Sequence, residues 1–369
     1  MDVLVIGGGL GGLAAAHGLI DAGATVTVAE RRPADRREGS GLSLFGNGLD
    51  ALASVGLLEH VERLTGGVPP TGGGVRRPDG SWLARPPAAS YARLRVVHRA
   101  ELRDALVAAL PDGTVRHDTT AGVLDAASGL ADVGGEQRTF DLVVGADGLN
   151  SRTRLALDLP GAPLWARYGC WRGVTPEPVK AVVPGETWGR GKRFGVVPLP
   201  DGRVYWFAVR GGLRGERPGD QRARVLEEFR GWHDPIARVV EATPAEGVFW
   251  RPIDELAPDL PTFVAGRVAL LGDAAHAMTP NLGQGANQAF EDAATLAALV
   301  AGGAGVEEAL VRYDAVRRPR AQKIAAQARA LGRLAQAGGV AGALRDRLVA
   351  AAPASAMARG IESVQRWEP

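Results

Sequence analysis

Buried-strand and helical patterns alternate at the start of the chain. Residues 3–6 form a short continuous apolar run, residues 10–20 are rich in Ala and Leu at helical spacing, and residues 25–29 form a second apolar run. Continuous apolar runs of this length are typical of strands that are buried on both faces, as in a parallel sheet. The strand–helix–strand order therefore predicts the α/β fold class, with a Rossmann-type unit at the start of the chain.

Two later apolar runs continue this pattern. Residues 140–145 and 267–271 each lead into a glycine-containing turn, and a helical pattern over 286–300 follows the second turn. We expect both runs to be strands of the same sheet, each presenting a turn at its end.

The segment between these runs has a different pattern. Short apolar segments at 167–174, 193–199 and 203–210 are separated by Pro and Gly, which is typical of an antiparallel sheet. Thirteen of the twenty aromatic residues lie between positions 160 and 266. As a set they predict a sheet that packs on helices with one face and covers an apolar pocket with the other. For any single aromatic residue, a plain core position stays the alternative.

The first turn carries a phosphate-binding pattern. Gly7, Gly9 and Gly12 fit G-x-G-x-x-G between the first strand and its helix. The first glycine permits a tight turn, the second lets a pyrophosphate approach the backbone, and the third lets the helix pack on the strand. Glu30 follows the second strand, where an acidic side chain accepts the ribose hydroxyls of an adenosine. The alternative is a plain glycine turn beside a surface glutamate, but the combination favours a dinucleotide site.

Carboxylates and glycines also follow the two later strands. Asp147-Gly148 suits contact with a polyol or a pyrophosphate, although this segment alone favours an ordinary Asp-Gly turn. Asp273 lies just past the other strand, and a helix that opens near Gly285 presents free amides that can stabilise negative charge. His276 lies in a run of small residues, and we expect a structural, hydrogen-bonded histidine rather than a general base.

Composition and charge are those of a globular enzyme. The 369 residues are 46% hydrophobic and 23% charged, and the formal net charge of +2 does not indicate a nucleic-acid partner. Cys170 is the only cysteine, which excludes an intrachain disulfide and a thiolate metal cluster, and we expect no metal site. No apolar run reaches the ~18 residues of a membrane span, and no basic, apolar leader precedes the first strand. We therefore expect a cytoplasmic location.

The three turns together resemble the fingerprints of one flavoprotein family. Residues 7–12, 141–148 and 272–287 are similar, in this order, to the motifs of the single-component FAD-dependent aromatic monooxygenases, the family of para-hydroxybenzoate and salicylate hydroxylases. The resemblance covers residues 2 to about 330. It implies a glutathione-reductase-like FAD-binding fold.

Further segments support this resemblance. Val97-His98-Arg99 resembles the family's helix start, whose arginine reaches the FAD phosphates, and residues 41–52 resemble the segment that approaches the flavin ring. Residues 168–173 and 194–199 look closest to the salicylate, urate and zeaxanthin-type branch.

The resemblance implies FAD as the cofactor, NADH or NADPH as the transient electron donor, and O₂ as co-substrate. The implied reaction is hydroxylation of an aromatic or polycyclic small molecule through a flavin C4a-hydroperoxide. Pro280 would lie beside the reactive face of the ring. The cofactor-binding positions implied are Gly7, Gly9, Leu10, Gly12, Glu30, Arg31, Arg99, Asp147, Gly148, Gly272, Asp273, Pro280, Gly283, Gly285, Ala286 and Asn287.

For the substrate, we predict that Tyr205, Trp206 and Phe207 line the pocket and that Arg172 and Pro280 are catalytic. Alternation along a strand sends Trp206 to the face opposite Tyr205 and Phe207. Arg172 can pair with a carboxylate or enolate substrate, and a surface or interdomain ion pair is the alternative.

The expected organisation is a discontinuous FAD-binding domain, an inserted substrate domain of mixed or antiparallel sheet, and C-terminal helices. The expected bounds are 1–68, 96–158 and 266–334 for the first, 69–95 and 159–265 for the second, and 335–369 for the helical tail. We expect a monomer or a homodimer. Epoxidation, oxidase or reductase chemistry in the same fold stays open, and a non-catalytic FAD-binding protein is less favoured. The halogenase pattern W-x-W-x-I-P does not occur.

Overall fold

The computed structural model describes residues 1–34, 40–65, 73–212, 214–215, 219–303 and 305–367. Its strands are β1 (Asp2–Ile6), β2 (Thr25–Ala29), β3 (Gly41–Leu44), β4 (Val75–Arg76), β5 (Trp82–Ala84), β6 (Arg95–His98), β7 (Val115–Arg116), β8 (Ala121–Asp125), β9 (Leu130–Val133), β10 (Glu136–Thr139), β11 (Leu142–Gly145), β12 (Ala162–Val174), β13 (Gly185–Trp188), β14 (Lys192–Pro198), β15 (Val204–Gly211), β16 (Phe249–Ala257), β17 (Val264–Ala265) and β18 (Val268–Leu270). Its helices are α1 (Leu10–Asp21), α2 (Gly46–Ser54), α3 (Leu58–Thr65), α4 (Arg99–Ala108), α5 (Arg152–Ala156), α6 (Gln221–Glu228), α7 (Ile236–Glu241), α8 (Asp273–His276), α9 (Gly285–Ala301), α10 (Val306–Ala335), α11 (Gly339–Ala351) and α12 (Ala354–Gln365).

A six-stranded sheet forms the centre of the first unit, in the order β17-β18-β11-β1-β2-β7. β1 pairs in parallel with β2 and β11, and β18 pairs in parallel with β11. Val3 and Val5 belong to the core beneath the helices, whereas Leu4 and Ile6 pack with the three-stranded sheet β10-β9-β8. Both faces of β1 are therefore covered, which explains its continuous apolar sequence.

Helices α1 and α9 approach each other closely because small residues line their contact. A Cβ at Gly11 would lie 2.9 Å from the Cβ of Ala289, and a Cβ at Gly18 would lie 2.8 Å from the Cβ of Ala297. The two helices therefore run in the same direction, and their N-terminal ends lie at the same edge of the sheet.

Strands from two parts of the chain form a seven-stranded sheet in the order β16-β12-β15-β14-β13-β4-β5. Its pairs are antiparallel except for β13 with β4. One face packs on α6 and α7. The aromatic side chains of this buried face are Trp171, Phe194, Trp206 and Trp250.

The opposite face of this sheet meets the first unit. A Cβ at Gly41 of β3 would lie 2.5 Å from Cδ1 of Tyr205, so the tyrosine ring lies directly against the β3 backbone. β3 pairs with β6, whose last residue precedes α4 and Arg99. The contact therefore joins the aromatic sheet to the strand pair that leads into α4.

The last helices pack across both units. α10 lies against α9, and Arg345 of α11 donates a hydrogen bond to Gly189 O at 3.1 Å. No helix within the described ranges is both long and apolar enough to cross a bilayer.

The α/β class, the Rossmann-type sheet, the inserted mixed sheet and the C-terminal helices are confirmed. The domain bounds stay a prediction.

Candidate cofactor and substrate site

The turn between β1 and α1 forms a cradle in which side chains would clash. Gly7 has a φ of +113°, and a Cβ there would lie 2.4 Å from Ala146 O. A Cβ at Gly12 would lie 2.1 Å from the Gly7 carbonyl oxygen. By contrast, a Cβ at Gly9 meets no atom within 4 Å, and α1 begins at Leu10. The amides of this helix start border open space, which fits the pyrophosphate of FAD.

An open cleft extends from this cradle. Glu30 is 9% exposed, and its Oε2 accepts a hydrogen bond from Gly8 N at 2.8 Å while Oε1 accepts one from Arg32 N at 2.9 Å. The carboxylate is therefore fixed at the edge of the cleft, where an adenosine ribose fits. The residues that line the cleft are Gly8, Gly9, Leu10, Glu30, Arg32, Pro33, Arg99, Ala100, Arg103 and Asp104.

Two basic residues of α4 border the cleft. Arg99 lies where the sequence predicts it, and Arg103 lies one helical turn later. The spacing of four residues is visible in the sequence, but Arg103 was not among the predicted residues. The cleft is lined by Arg32 rather than the predicted Arg31, because the hydrogen bond from Arg32 N to Glu30 turns the chain after β2.

Asp147 uses its carboxylate within the chain. Its Oδ1 accepts a hydrogen bond from Ser151 Oγ at 2.5 Å, and its Oδ2 accepts from Arg152 N at 2.8 Å and Thr153 N at 3.0 Å. These bonds hold the start of α5, so a direct contact between this carboxylate and the cofactor stays a prediction. Gly148 has a φ of +82°, and a Cβ there meets no atom within 4 Å, which leaves room for a ligand beside the backbone.

The third turn presents an exposed carboxylate. Gly272 has a φ of +59°, a conformation that favours glycine, and Asp273 begins α8. The side chain of Asp273 is exposed and has no hydrogen-bond partner in the described part of the chain. A carboxylate placed this way just past β18 fits contact with the ribityl hydroxyls of FAD.

The segment after α8 shapes the start of α9. Pro280 is exposed and begins a short 3₁₀ turn that ends at Gly283, where φ is +64°. α9 begins at Gly285, where a Cβ would meet no atom within 4 Å, and Ala286 is half-buried. Open space therefore borders a helix start, where the dipole favours the negative charge of a reduced flavin.

Asn287 has a different position from the one predicted. It is fully buried, its Oδ1 accepts a hydrogen bond from Phe45 N at 3.0 Å, and its Nδ2 donates to Ser43 O at 3.1 Å and Gly283 O at 2.9 Å. Its amide therefore ties β3 and α2 to the start of α9 instead of facing the flavin. The physical reason is that a buried amide must satisfy its donors and acceptor, and three backbone groups surround it.

His276 is a structural residue. It is buried, and its Nε2 lies 2.6 Å from Asp292 Oδ2. The predicted hydrogen bond of this histidine is confirmed, and the absence of a general-base role stays a prediction.

The substrate-sheet face toward the first unit carries three of the predicted residues. Arg172 of β12 pairs directly with Phe207 of β15, so both side chains lie on one face, and Tyr205 lies on that face two residues away. A Cβ at Gly195 of β14 would lie 2.1 Å from Phe207 Cζ, so this ring lies flat across the neighbouring strand.

Trp206 lies on the other face, which corrects its prediction as a pocket residue. Its side chain is fully buried against α7, and its Nε1 donates to Thr243 Oγ1 at 2.9 Å. Its ring stacks on Phe194 with the centroids 5.5 Å apart. Trp206 cannot share a pocket with Tyr205 and Phe207, because side chains alternate between the faces of a strand.

A family model described as FAD binding domain matches residues 1–328. The chain belongs to this family. Aurachin C monooxygenase/isomerase of Stigmatella aurantiaca is 37% identical over 91% of this chain and 90% of that protein. The 2-heptyl-3-hydroxy-4(1H)-quinolone synthase of Pseudomonas aeruginosa is 35% identical over 91% of this chain and 90% of that protein.

A solved structure agrees with these relatives. Klebsiella pneumoniae HpxO complexed with FAD and uric acid superimposes with a TM-score of 0.89 and 25% identity, over 99% of this chain and 96% of that one. The resemblance to the aromatic monooxygenases is confirmed. This FAD-binding family member is an enzyme, an FAD-dependent monooxygenase that uses NAD(P)H as electron donor.

In this monooxygenase, Arg172 is a half-buried cation. Its Nε is shielded from solvent and has no hydrogen-bond partner, and none of the ion pairs within the described ranges involves it. The neighbouring Tyr205 raises the pKa of Arg172, and burial raises the pKa of Tyr205 to about 12. At neutral pH the guanidinium is therefore charged and the phenol keeps its proton.

A second polar group, beside Pro280, was missed in the sequence. Arg193 of β14 is 2% exposed, and its Nη2 donates to Asn281 Oδ1 at 2.6 Å. Asn281 Nδ2 in turn donates to Tyr168 Oη at 2.8 Å. These residues lie in separate parts of the chain, and their only signal is the polar Asn281 directly after Pro280.

Proposed function

We propose that this monooxygenase hydroxylates an aromatic or polycyclic small molecule bound between the seven-stranded sheet and the FAD-binding unit. The observation that carries the proposal is the sheet face with Tyr205, Phe207 and the half-buried Arg172, whose Nε has no hydrogen-bond partner among the described residues. An apolar wall with one fixed charge suits a flat ring that carries a polar substituent.

The charge on this face supports an anionic form of the substrate. Shielding a cation from solvent without an acidic partner is costly, and an anionic ligand offsets that cost. The relatives include 3-amino-4-hydroxybenzoate 2-monooxygenase of Streptomyces cremeus and 6-hydroxynicotinate 3-monooxygenase of Pseudomonas fluorescens, whose names describe rings with oxygen substituents. We infer a phenolate, enolate or carboxylate that pairs with Arg172.

Each residue then has a limited role. Bound FAD supplies the oxygen-transfer chemistry. The glycine cradle, Glu30 and Arg99 bind the adenosine diphosphate half, and Asp273 binds the ribityl chain. Pro280 borders the reacting region, while Tyr205 and Phe207 exclude water from it. We also propose a cytoplasmic monomer or homodimer.

Labelled oxygen tests this proposal. The holoenzyme is supplied with NADH or NADPH, isotopically labelled O₂ and a panel of phenols, hydroxypyridines and quinolones. We expect some members to accelerate NAD(P)H oxidation and to give a product that carries one labelled oxygen atom. Acceleration that yields only peroxide across the whole panel would contradict hydroxylation of this class.

A further inference from the structure

We propose that Asp292 and Arg317, which are buried between α9 and α10, are positioning residues for FAD. They hold the Gly272–Asp273 turn in the geometry in which Asp273 reaches the ribityl chain. The inference rests on the contact proposed above between Asp273 and FAD, and it adds residues that do not themselves reach the cofactor.

Asp292 holds the turn through the backbone amide of Gly272 and through His276 of α8. Its Oδ2 accepts a hydrogen bond from Gly272 N at 2.9 Å and lies 2.6 Å from His276 Nε2. The Gly272 carbonyl oxygen accepts from Ala275 N and His276 N, each at 2.9 Å. Both ends of α8 are therefore tied to one carboxylate, and the direction of the exposed Asp273 side chain follows from this anchor.

Arg317 fixes the carboxylate in turn. Its Nε donates to Asp292 Oδ1 at 2.8 Å, and its Nη1 donates to Glu291 Oε2. Its Nη2 donates to Gln288 Oε1 at 2.8 Å. The side chains of Asp292, Glu291 and Arg317 are all 0% exposed, so none of them touches a ligand in the cleft.

The three groups around Asp292, which are Gly272 N, His276 Nε2 and Arg317 Nε, require a charged acceptor. Asp292 receives hydrogen bonds on both oxygens, and an asparagine would present an NH₂ group to either Arg317 or the Gly272 amide. Burial alone would raise the pKa of Asp292, but His276 and Arg317 outweigh it and lower the pKa to about 2. Asp292 is therefore ionised at neutral pH.

The test uses Asp292→Asn and separates the two halves of the cofactor. FAD and ADP are titrated into the full-length protein after its flavin has been removed, with flavin fluorescence and calorimetry as readouts. We expect the FAD dissociation constant to rise about tenfold or more, as for a lost hydrogen bond to a charged group. The ADP dissociation constant should not change, because the glycine cradle lies on a different strand. Equal weakening of both ligands, or unchanged FAD binding, would overturn the proposal.

Asp314→Asn is the matched control. Asp314 of α10 also accepts from a backbone amide, Phe263 N at 2.6 Å, and from an arginine, Arg318 Nε at 3.1 Å. Its loss should lower the melting temperature without changing the FAD dissociation constant. A fall in FAD affinity equal to that of Asp292→Asn would show a general effect of loosening α10 and overturn the proposal.

Two further variants keep the outcome clear. If Asp292→Asn does not fold, Asp292→Asn combined with Arg317→Gln removes both charges, and the same loss of FAD affinity is expected. Combining Asp292→Asn with Asp273→Ala should weaken FAD binding no more than Asp273→Ala alone, because Asp292 acts through Asp273. Additive losses would overturn the positioning role. Normal FAD binding in Asp273→Ala would instead contradict the proposed ribityl contact itself.

Discussion

At the residue scale, similar polar side chains have opposite uses in the three turns. Asp273 is exposed just past β18, whereas Asp147 accepts hydrogen bonds from the first amides of α5 and Asn287 ties β3 to α9. The hydrogen bonds of Asp147 and Asn287 join elements of the protein, whereas the carboxylate of Asp273 makes no such bond within the described residues. Substitution of these residues should therefore separate cofactor affinity from stability.

Asp273→Ala should lose FAD affinity far more than it loses fold. The exposed carboxylate makes no hydrogen bond that the described structure needs, and loss of a hydrogen bond between a charged group and a ligand costs ~1.5–3 kcal/mol. FAD titration and apo-protein melting measure the two effects. Asp147→Ala is the contrasting variant, since it removes the cap of α5 and should lower the melting temperature.

Arg172→Met should raise KM or divert NAD(P)H oxidation to peroxide while the flavin spectrum stays unchanged. The methionine keeps length and apolar bulk but removes the charge that we assign to substrate binding. Steady-state kinetics with peroxide detection measure this. Arg210→Met is the control, because Arg210 already pairs with Glu228. Normal KM and coupling in Arg172→Met would rule out the substrate contact.

At the element scale, the alternation of β15 decides which aromatic residues belong to which surface. Tyr205 and Phe207 face the FAD-binding unit, and Trp206 belongs to the core beneath α6 and α7. A single strand therefore contributes both to a candidate pocket and to stability.

Phe207→Leu should change substrate preference, whereas Trp206→Phe should lower stability. Phe207→Leu changes the proposed pocket wall and should shift the relative kcat/KM values across a substrate panel, with flavin content intact. Trp206→Phe removes the bond to Thr243 and leaves a cavity, which costs roughly 1–3 kcal/mol of stability. Melting temperatures and substrate profiles distinguish them, and a substrate shift in Trp206→Phe alone would contradict the assignment of faces.

At the scale of the whole molecule, three turns that are far apart in sequence meet at one edge of the parallel sheet, and α10 closes the structure behind them. α10 contacts α9 through fully buried charges: Arg317 of α10 forms ion pairs with Asp292 and Glu291 of α9. Such a network is sensitive to protonation, because loss of one charge leaves the others without partners.

Stability should therefore fall between about pH 4 and about pH 2 in a way that depends on Asp292. Its pKa is lowered from 3.8 to about 2 in the folded chain, so its contribution is complete above pH 4 and is lost as the pH falls through the folded value. Each unit of difference corresponds to roughly 1.4 kcal/mol. Denaturant unfolding over this pH range should show a steeper loss for the unaltered chain than for Asp292→Asn. Parallel curves would contradict the assignment.

Much of the fold and of the cofactor site follows from local patterns in the sequence. The glycines at 7, 9 and 12 predict a tight turn because Gly12 packs against the carbonyl of Gly7, only five positions earlier. The apolar run of β1 predicts burial on both faces. Helical spacing also predicts that Arg103 lies on the same face of α4 as Arg99.

Only the tertiary structure decided which polar groups face a ligand. Arg193 and Asn281 lie far apart in sequence and meet because β14 packs against the turn after Pro280. Asn287 turns inward because backbone groups of β3 surround it, and Asp292 reaches Gly272 across two elements. The sequence by itself determined the sheet, the phosphate cradle and the family, because these depend on short-range spacing. The direction of each buried side chain depends on hydrogen-bond partners contributed by distant segments, and only the packed chain brings them together.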